Sequence, residues 1–298
     1  MSSKIRWSLP DGVDELLPPK AIEVEMLRRK LIDEYISSGF EFITPPLLEL
    51  SESIGGDAHD EIKSHAFSFK DNLTGKDLSI RPDISEQASR IDAYRIQSNE
   101  VVKLCYAGEV VKSKVSKSLR SRTTIQVGAE IFGDSSKDAE LESVNLMLKS
   151  LEIAGIKNIT LSLGHAASKK SKSDLDKIIP DSYENKQSLT TLCDMYGEID
   201  IIQSAKESFS YLEATQNFME DLEGLADKLI HKSGLILHVD LGEVQGFKYH
   251  NGVVFSAYAD SAGYVLAKGG RYDGLRKQSD RDRPAVGFDL DLVSVSNL

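Results

Sequence analysis

Two long strand-like runs constrain the fold of this chain more than any other feature. Val101–Val111 and Thr123–Phe132 are rich in β-branched and apolar residues, and a polar, basic connector separates them. Two such runs in succession predict a long hairpin, because apolar segments on either side of a polar connector are typical of paired strands. A sheet is therefore expected near the centre of the fold.

Helices are predicted on both sides of this hairpin. Ala21–Ser38 carries an apolar stripe at helical spacing, with prolines before it and Gly39 after it. A second helix is predicted after the hairpin, where Asp134, Ser135 or Ser136 can cap its first turn and Gly155 can end it. Its stripe consists of Leu141, Val144, Leu148 and Leu151.

The remaining strand signals are short. Phe42–Leu48 is predicted to be extended, and Pro45 and Pro46 place it at a sheet edge or an interface because proline cannot donate a ladder hydrogen bond. Further strands are predicted at Ile159–Leu163, Leu235–Val239, Gly252–Tyr258 and Tyr264–Lys268. Residues 166–234 lack strand signals, and Phe209–Ile230 has helical spacing, which indicates a helical insertion. Helices and strands that do not alternate predict an α+β fold.

Composition excludes several classes of function. The formal net charge is −11, from 36 basic and 47 acidic residues, which argues against nucleic acid as the main partner. The sequence has no apolar run long enough for a membrane helix and no apolar secretion signal at its N-terminus. Cys105 and Cys193 lie far apart in apolar surroundings, so reduced thiols and a cytoplasmic location are expected.

Two polar segments are candidates for a ligand site. In Arg81–Ser85, an extended backbone would place Asp83 and Ser85 on one face, where they could hold an ammonium group. The same residues are equally suited to the start of a capped helix. Gln126 and Glu130 share one face of a predicted strand, which is consistent with a pocket floor or with a solvated sheet face.

Other motifs have ordinary structural explanations. Lys268–Gly274 is glycine-rich, and a tight turn between a strand and a helix is its simplest interpretation. The basic connector, from Lys112 to Arg122, could meet an anion but is more typical of a solvated loop. None of the six histidines has the spacing of a metal site or a catalytic triad, and His165 is expected to be structural. No cofactor is predicted.

Taken in chain order, these segments resemble the catalytic domain of class II histidyl-tRNA synthetases over nearly the whole chain. The matching segments are Leu9–Pro18, Gly39–Glu49, Ile80–Asp83, Tyr106–Gly133, Val244–Gly252, Gly269–Leu275 and Pro284–Phe288. The resemblance implies a single domain over 1–298, with a class II synthetase-like antiparallel sheet flanked by helices and the insertion at 166–234. The chain ends just after the third class II motif, so no anticodon-binding domain is expected.

The departures from active synthetases fall on the residues of adenylation. In active members of this type, arginines stand at the positions of Lys112, Gln245 and Ser294, a glutamate at Lys114 and a glycine at Asp291. Adenylation needs positioned cations, and loss of one such donor typically slows a reaction on the order of 100- to 1000-fold. Lysine cannot replace the planar, bidentate contact of arginine. Synthetase chemistry is therefore expected to be lost.

A catalytic shell with these losses resembles the regulatory subunits of ATP phosphoribosyltransferase. Members of that family assemble with a short-form catalytic subunit, activate it and take part in histidine feedback. The resemblance also implies a homodimer and a histidine pocket made of Asp83, Ser85, Gln126, Glu130, Tyr249 and His250, in which His250 replaces a tyrosine. The alternatives are a histidine-activating or tRNA-binding synthetase fragment, and a scaffold without a small ligand.

Overall fold

The structure, a computed structural model, describes residues 8–54, 60–114, 121–166, 191–192, 194–210, 213–242, 250–273 and 283–298. The helices described are α1 (Lys20–Ser37), α2 (Asp60–His65), α3 (Ser85–Ile91, continued by a π-helical turn at Asp92–Ile96), α4 (Lys137–Ile153), α5 (Asp200–Ser208), α6 (Glu213–Leu229) and α7 (Leu292–Ser296). None of these helices is long and apolar enough to cross a membrane.

Most strands belong to one large sheet. The strands described are β1 (Glu41–Phe42), β2 (Leu48–Leu50), β3 (Phe67–Lys70), β4 (Asp77–Ile80), β5 (Val102–Val111), β6 (Thr123–Phe132), β7 (Ile159–His165), β8 (Tyr196–Gly197), β9 (Leu235–Asp240), β10 (Val253–Ala259), β11 (Ala262–Arg271) and β12 (Ala285–Asp291). Nine of them form a sheet in the order β1-β5-β6-β12-β11-β10-β7-β9-β8. Only the pairs β1–β5 and β7–β9 are parallel among the pairings described. The predicted α+β fold, an antiparallel sheet flanked by helices, is confirmed.

The two faces of this sheet have different chemistry. Val127, Ala129 and Ile131 of β6 point into the main hydrophobic core, to which α1, α4, α6 and α7 also contribute. Burial of the Val127 side chain or the Ile131 side chain stabilises the fold by about 1.5–3 kcal/mol each. The alternate residues of β6, among them Gln126 and Glu130, point to the opposite face. That face carries the polar groups of the site.

The predicted hairpin and the predicted helix cap are both present. β5 and β6 pair in antiparallel register from Val102 opposite Phe132 to Val111 opposite Thr123. Ser136 is the residue that caps α4, since its Oγ accepts a hydrogen bond from the backbone N–H of Ala139 at 3.3 Å. Strong alternation and a capping hydroxyl are thus sufficient to predict these two elements.

Two local predictions are wrong or resolved by the structure. Gly269 and Gly270 do not form a turn, because both lie within β11 with ordinary backbone angles. Glycine is required at these positions because the neighbouring strand packs too closely for a side chain. A Cβ at Gly269 would lie 2.3 Å from the carbonyl oxygen of Gly287. The extended interpretation of Arg81–Ser85 is also wrong. α3 begins at Ser85, and Asp83 Oδ1 accepts the Ser85 backbone N–H at 2.7 Å.

β12 of the large sheet escaped prediction, and so did most of a second, smaller sheet. β2, β4 and β3 form a separate three-stranded antiparallel sheet. The register gives one of its faces only apolar residues, which are Leu48, Leu50, Phe67, Phe69, Leu78 and Ile80. Leu48 and Phe69 remain 46% and 44% exposed. We call this surface the small-sheet face.

The segments around the predicted insertion and the proline pair differ in detail from expectation. Within the described part of residues 166–234, α5 and α6 are helical, but the two-residue strand β8 pairs with β9 at the sheet edge. Pro45 and Pro46 lie between β1 and β2, outside the ladders. Their carbonyl oxygens accept hydrogen bonds from Arg81 at 2.8 Å and Gln87 at 2.8 Å, which fix this segment against α3.

Candidate functional site

Glu130 lies at the centre of the polar face of the large sheet. Its side chain is buried, at 1% exposure, and both carboxylate oxygens are engaged. Tyr106 donates to Oε1 at 3.1 Å and Tyr272 donates to Oε2 at 2.6 Å. Burial raises the pKa of Glu130 to about 8, and nearby Asp83 adds to the rise. The carboxyl group is therefore largely protonated at neutral pH and can both donate and accept hydrogen bonds.

Glycines make room for these side chains on the floor of the site. A Cβ at Gly287 would lie 1.7 Å from Oε2 of Glu130, and a Cβ at Gly128 would lie 2.5 Å from the hydroxyl oxygen of Tyr106. Neither separation is possible between non-bonded atoms. The absence of a side chain at these positions is what allows Glu130 and Tyr106 to cross over neighbouring strands.

Asp83, Ser85 and Gln126 form the adjoining wall. Gln126 bridges the sheet and the start of α3, since its Oε1 accepts the Ile84 backbone N–H at 2.8 Å and its Nε2 donates to Asp83 Oδ2 at 3.3 Å. Ser85 Oγ lies 2.8 Å from the Tyr106 hydroxyl, so it connects this wall to the Glu130 network. Asp83, Ser85 and Gln126 are all buried. The pocket-floor interpretation of Gln126 and Glu130 is therefore favoured over a solvated face.

Two aromatic residues, His250 and Tyr272, lie beside the Glu130 network. His250 lies edge-on to Tyr272, with ring centroids 6.3 Å apart, and its Cδ2 lies 2.8 Å from the position that a Cβ of Gly270 would take. His250 therefore adjoins the Tyr272–Glu130 pair. Tyr249, the sixth predicted residue, lies outside the described residues. Of the predicted set, Asp83, Ser85, Gln126 and Glu130 are linked by hydrogen bonds, directly or through Tyr106.

A cluster of charged residues borders this network. Lys268 on β11 is directly opposite Asp289 on β12, which in turn is opposite Gly128 on β6. Desolvation raises the pKa of Asp289, an effect that Lys268 opposes and Asp83 reinforces. Desolvation lowers the pKa of Lys112, and the nearby charge of Lys268 lowers it further. Two ammonium groups and at least two carboxylates thus share one part of the polar face.

Asp291 and Ser294, which replace a glycine and an arginine of active synthetases, are joined by a hydrogen bond. Asp291 is the N-cap of α7, where its Oδ1 accepts the Ser294 backbone N–H at 3.0 Å. The hydroxyl of Thr124 donates to the same oxygen. Lys114 is exposed, whereas Lys117, Arg120 and Gln245 lie outside the described residues. Position 291 therefore stabilises a helix end and adds negative charge to this side of the site.

Several other motifs have structural roles. Arg271 is buried and bonds Glu140 at 2.5 Å, which ties β11 to α4. His165 is buried and stacks on Phe218 at 5.3 Å between ring centroids, in agreement with a structural histidine. Arg122 donates to backbone carbonyls of Lys112 and Ser113 and lies over the Phe67 ring, so the described end of the basic connector is built into the fold.

Neither cysteine nor a metal cluster adds a reactive group to the described residues. Cys105 is a buried free thiol whose pKa is raised by burial to about 12, and Cys193 lies outside the described residues. Within the described ranges, no group of three His, Cys, Asp or Glu side chains could hold a metal ion. The group of Glu130, Tyr106 and Tyr272 can bind a ligand by hydrogen bonds.

Sequence reasoning missed four residues of the site: Tyr106, Tyr272, Lys268 and Asp289. Tyr106 occurs within an apolar run, where an aromatic residue is usually part of a core, and Tyr272 occurs within the glycine-rich motif that was interpreted as a turn. Lys268 and Asp289 are 21 positions apart, and only the β11–β12 register brings them together. Tyr106 could have been identified from the predicted hairpin, because it is directly opposite Gly128 and therefore points to the same face as Gln126 and Glu130.

Comparisons with known proteins agree on fold and family. A family model described as histidyl-tRNA synthetase matches residues 12–168 and 166–295. An ATP phosphoribosyltransferase regulatory subunit of Burkholderia cenocepacia is 34% identical over 316 residues, which cover 98% of this chain and 82% of the relative. One of Marinobacter nauticus is 34% identical over 326 residues, 100% of this chain and 83% of the relative.

Solved structures show the same fold. A structure titled ATP phosphoribosyltransferase regulatory subunit/histidyl-tRNA synthetase, from Bacillus halodurans, has a TM-score of 0.83 at 22% identity, over 99% of this chain and 84% of that one. Apo histidyl-tRNA synthetase of S. aureus has a TM-score of 0.66 at 17% identity, over 97% of this chain and 69% of that one. With its full-length relatives at 34% identity, the chain belongs to the family of ATP phosphoribosyltransferase regulatory subunits, which shares the histidyl-tRNA synthetase fold.

Proposed function

We propose that this chain is a non-catalytic subunit that activates a short-form ATP phosphoribosyltransferase catalytic subunit and transmits histidine feedback to it, in the first step of histidine biosynthesis in the cytoplasm. One observation carries the proposal. The polar network of Asp83, Gln126 and Glu130 is intact and buried, whereas the positions of adenylation hold Lys112, Asp291 and Ser294. A ligand pocket without the chemistry is what a sensor requires.

The network is suited to a free histidine. Asp83 can accept hydrogen bonds from the ligand's ammonium group, and Gln126 holds Asp83 in place. Glu130, flanked by Tyr106 and Tyr272, can exchange a hydrogen bond with an imidazole nitrogen, which is a donor or an acceptor according to its tautomer. His250, beside Tyr272, completes the aromatic side on which a ring can pack.

The opposite end of the site is unsuited to ATP. The resemblance to active synthetases puts the Asp291 carboxylate on the side where such an enzyme would hold phosphates, and Lys112 cannot make the bidentate contact of arginine. Charge that develops on phosphorus during adenylation would have no positioned guanidinium to stabilise it. These features support the loss of synthetase chemistry and disfavour an active histidine-activating fragment.

Such a subunit acts on its partner only through a conformational equilibrium. Histidine can shift that equilibrium only by binding two states with different affinity, and coupling of this kind usually amounts to about 1–3 kcal/mol. Linkage then requires that the substrates of the catalytic subunit change histidine affinity by the same factor that histidine changes theirs.

Reconstitution with a short-form catalytic subunit from the same genome tests the proposal. We expect the two chains to co-elute, phosphoribosyl-ATP formation to rise when this chain is added, and histidine to reduce it. Glu130→Ala should weaken histidine binding by about 1–3 kcal/mol, because a buried imidazole nitrogen would lose its hydrogen-bond partner, and should leave activation in place. Failure to co-elute or to activate would refute the regulatory function.

A further inference from the structure

Lys268 and Asp289 are oppositely charged residues on neighbouring strands of the polar face, and the histidine pocket described above assigns them no role. Lys268 directly precedes Gly269 and Gly270 on β11, and its Cα partner on β12 is Asp289. Asp289 lies between Lys268 and Gly128 in one row of residues that crosses the sheet. This row passes between the row of Gln126 and the row of Glu130.

The register therefore places Lys268 next to the pocket. The Glu130 row continues through Gly287 to Gly270, and the Gln126 row continues to Asp291. Gly128, between Gln126 and Glu130 on β6, has no side chain of its own, and the Tyr106 hydroxyl fills the space that a Cβ there would take. Gln126 donates a hydrogen bond to Asp83, and both residues are close enough to Asp289 to affect its pKa, so the carboxylate beside Lys268 and the carboxylate for the ligand's ammonium group adjoin one amide.

The charges in this area are mixed in sign. Lys268 and Lys112 are close enough for the charge of one to lower the pKa of the other, and Asp83, Asp289 and Asp291 all act on Lys112 with the opposite sign. A polyphosphate would meet three carboxylates here, and a lone cation would meet two ammonium groups. A zwitterion satisfies both signs at once, because its ammonium and carboxylate groups are held a few ångströms apart.

We propose that Lys268, positioned by Asp289, binds the α-carboxylate of a free amino acid whose ammonium group lies at Asp83. The inference rests on the proposed histidine site and adds its class of ligand: a free α-amino acid, as opposed to an ester, an amide or a nucleotide. Lys268 thus takes over the recognition of the carboxylate in a pocket whose sequence has glutamine and lysine in place of arginine at positions 245 and 112.

Calorimetry with two ligands tests this assignment on the full-length chain. The probes are L-histidine and L-histidinol, which has a hydroxymethyl group in place of the carboxylate. We expect the wild type to prefer histidine, and Lys268→Met to lower histidine affinity about 10- to 100-fold, the range for one charge-assisted hydrogen bond, while histidinol affinity stays unchanged. Lys268→Arg, which keeps the charge, should restore most of the preference, and Lys157→Met, at an exposed lysine, should have no effect.

The possible outcomes are distinct. Equal loss of both ligands in Lys268→Met would mean an indirect packing effect and would overturn the assignment. The same holds if Lys112→Met, and not Lys268→Met, removes the preference, or if the wild type binds both ligands equally well. A wild type that binds neither ligand would overturn the sensor function together with this inference. Loss of the preference in Lys268→Met with rescue by Lys268→Arg supports it.

Discussion

Glu130 is a buried acid whose protonation is coupled to folding. Its pKa is about 8 in the folded chain and about 4.3 in an unfolded one, so the folded state binds an additional proton between these values. The stability contributed by this group is fully present below the unfolded pKa and is lost as the pH rises through the folded pKa. The site is thus most stable when Glu130 is neutral.

Glu130→Gln should remove this dependence, because glutamine has the same shape and no titration. The difference in unfolding free energy between wild type and variant should shift against the wild type between about pH 5 and 8, by up to about 1.4 kcal/mol per pH unit. Urea unfolding at several pH values, without histidine, measures it. Glu100→Gln, at an exposed carboxylate, is the matched control. Parallel curves for wild type and Glu130→Gln would contradict the assignment of a raised pKa.

At this scale the sequence predicts residue types better than their partners. Gln126 and Glu130 were predicted as a pair because they are four apart in one strand, and both are in the site. Tyr106 and Tyr272 were missed, although each donates to Glu130, because their approach depends on the register of the four neighbouring strands β5, β6, β12 and β11. Contacts across strands are set by tertiary structure, so a linear pattern does not contain them.

Strands β6 and β12 fit together at a glycine. A Cβ at Gly287 would meet the Glu130 carboxylate at 1.7 Å and the Ala129 carbonyl oxygen at 2.7 Å. The first atom belongs to a buried, hydrogen-bonded group and the second to the backbone, so neither can move at low cost.

We therefore expect Gly287→Ala to destabilise the chain by about 1–3 kcal/mol, the usual cost of inserting a methyl group into a packed region. Histidine affinity should fall as well, since Glu130 must move. Gly263→Ala is the control in β11, because a Cβ there meets nothing within 4 Å. Denaturant unfolding compares the two variants. Equal stability of both would show that the close approach of Gly287 to Glu130 is absent in solution.

Elements with a strong periodic pattern could be predicted, and short ones could not. β5 and β6 are ten residues each with clear apolar alternation, and both were found almost to the residue. β3 and β4 have four residues each, which is too short for a pattern to be distinguished from a loop. The pairing of β4 with both β2 and β3 became visible only in the structure.

For the molecule as a whole, the small-sheet face is an apolar surface that the described residues cover only in part, with Arg122 over the Phe67 ring. Leu48 and Phe69 are about half exposed on it, next to the Pro45–Pro46 segment that resembles the dimer edge of the family. Exposed apolar patches of this kind are typical of interaction sites. We propose that a second copy of the chain covers it.

Light scattering at micromolar concentration should accordingly give the mass of a dimer. Leu48→Arg with Phe69→Arg should shift the chain to monomer, because two charges would be buried without partners. Leu73→Arg, at a leucine that is 91% exposed in the β3–β4 turn, should leave the dimer intact. A monomeric wild type would argue against the dimer, and a dimeric double variant would place the interface elsewhere.

The whole chain should also lack synthetase activity. Purified protein should give no histidine-dependent exchange between ATP and pyrophosphate and no tRNA charging, because Lys112, Asp291 and Ser294 replace the residues that adenylation needs. A preparation from a host with a distinguishable synthetase excludes contamination. Robust exchange by the purified chain would refute the non-catalytic function.

The cap formed by Asp291 bears on whether such a chain could ever evolve back into an enzyme. Regaining glycine at position 291 would remove the side chain that caps α7 and accepts from Thr124, and the loss of the cap costs about a few tenths of a kcal/mol before any catalytic benefit appears. α7 is not dispensable, since Leu292 and Val295 belong to the main core. Because arginines would still be missing at positions 112, 245 and 294, the first step back lowers stability and offers selection nothing in return. The cap therefore makes a return to catalysis by single substitutions slightly less favourable.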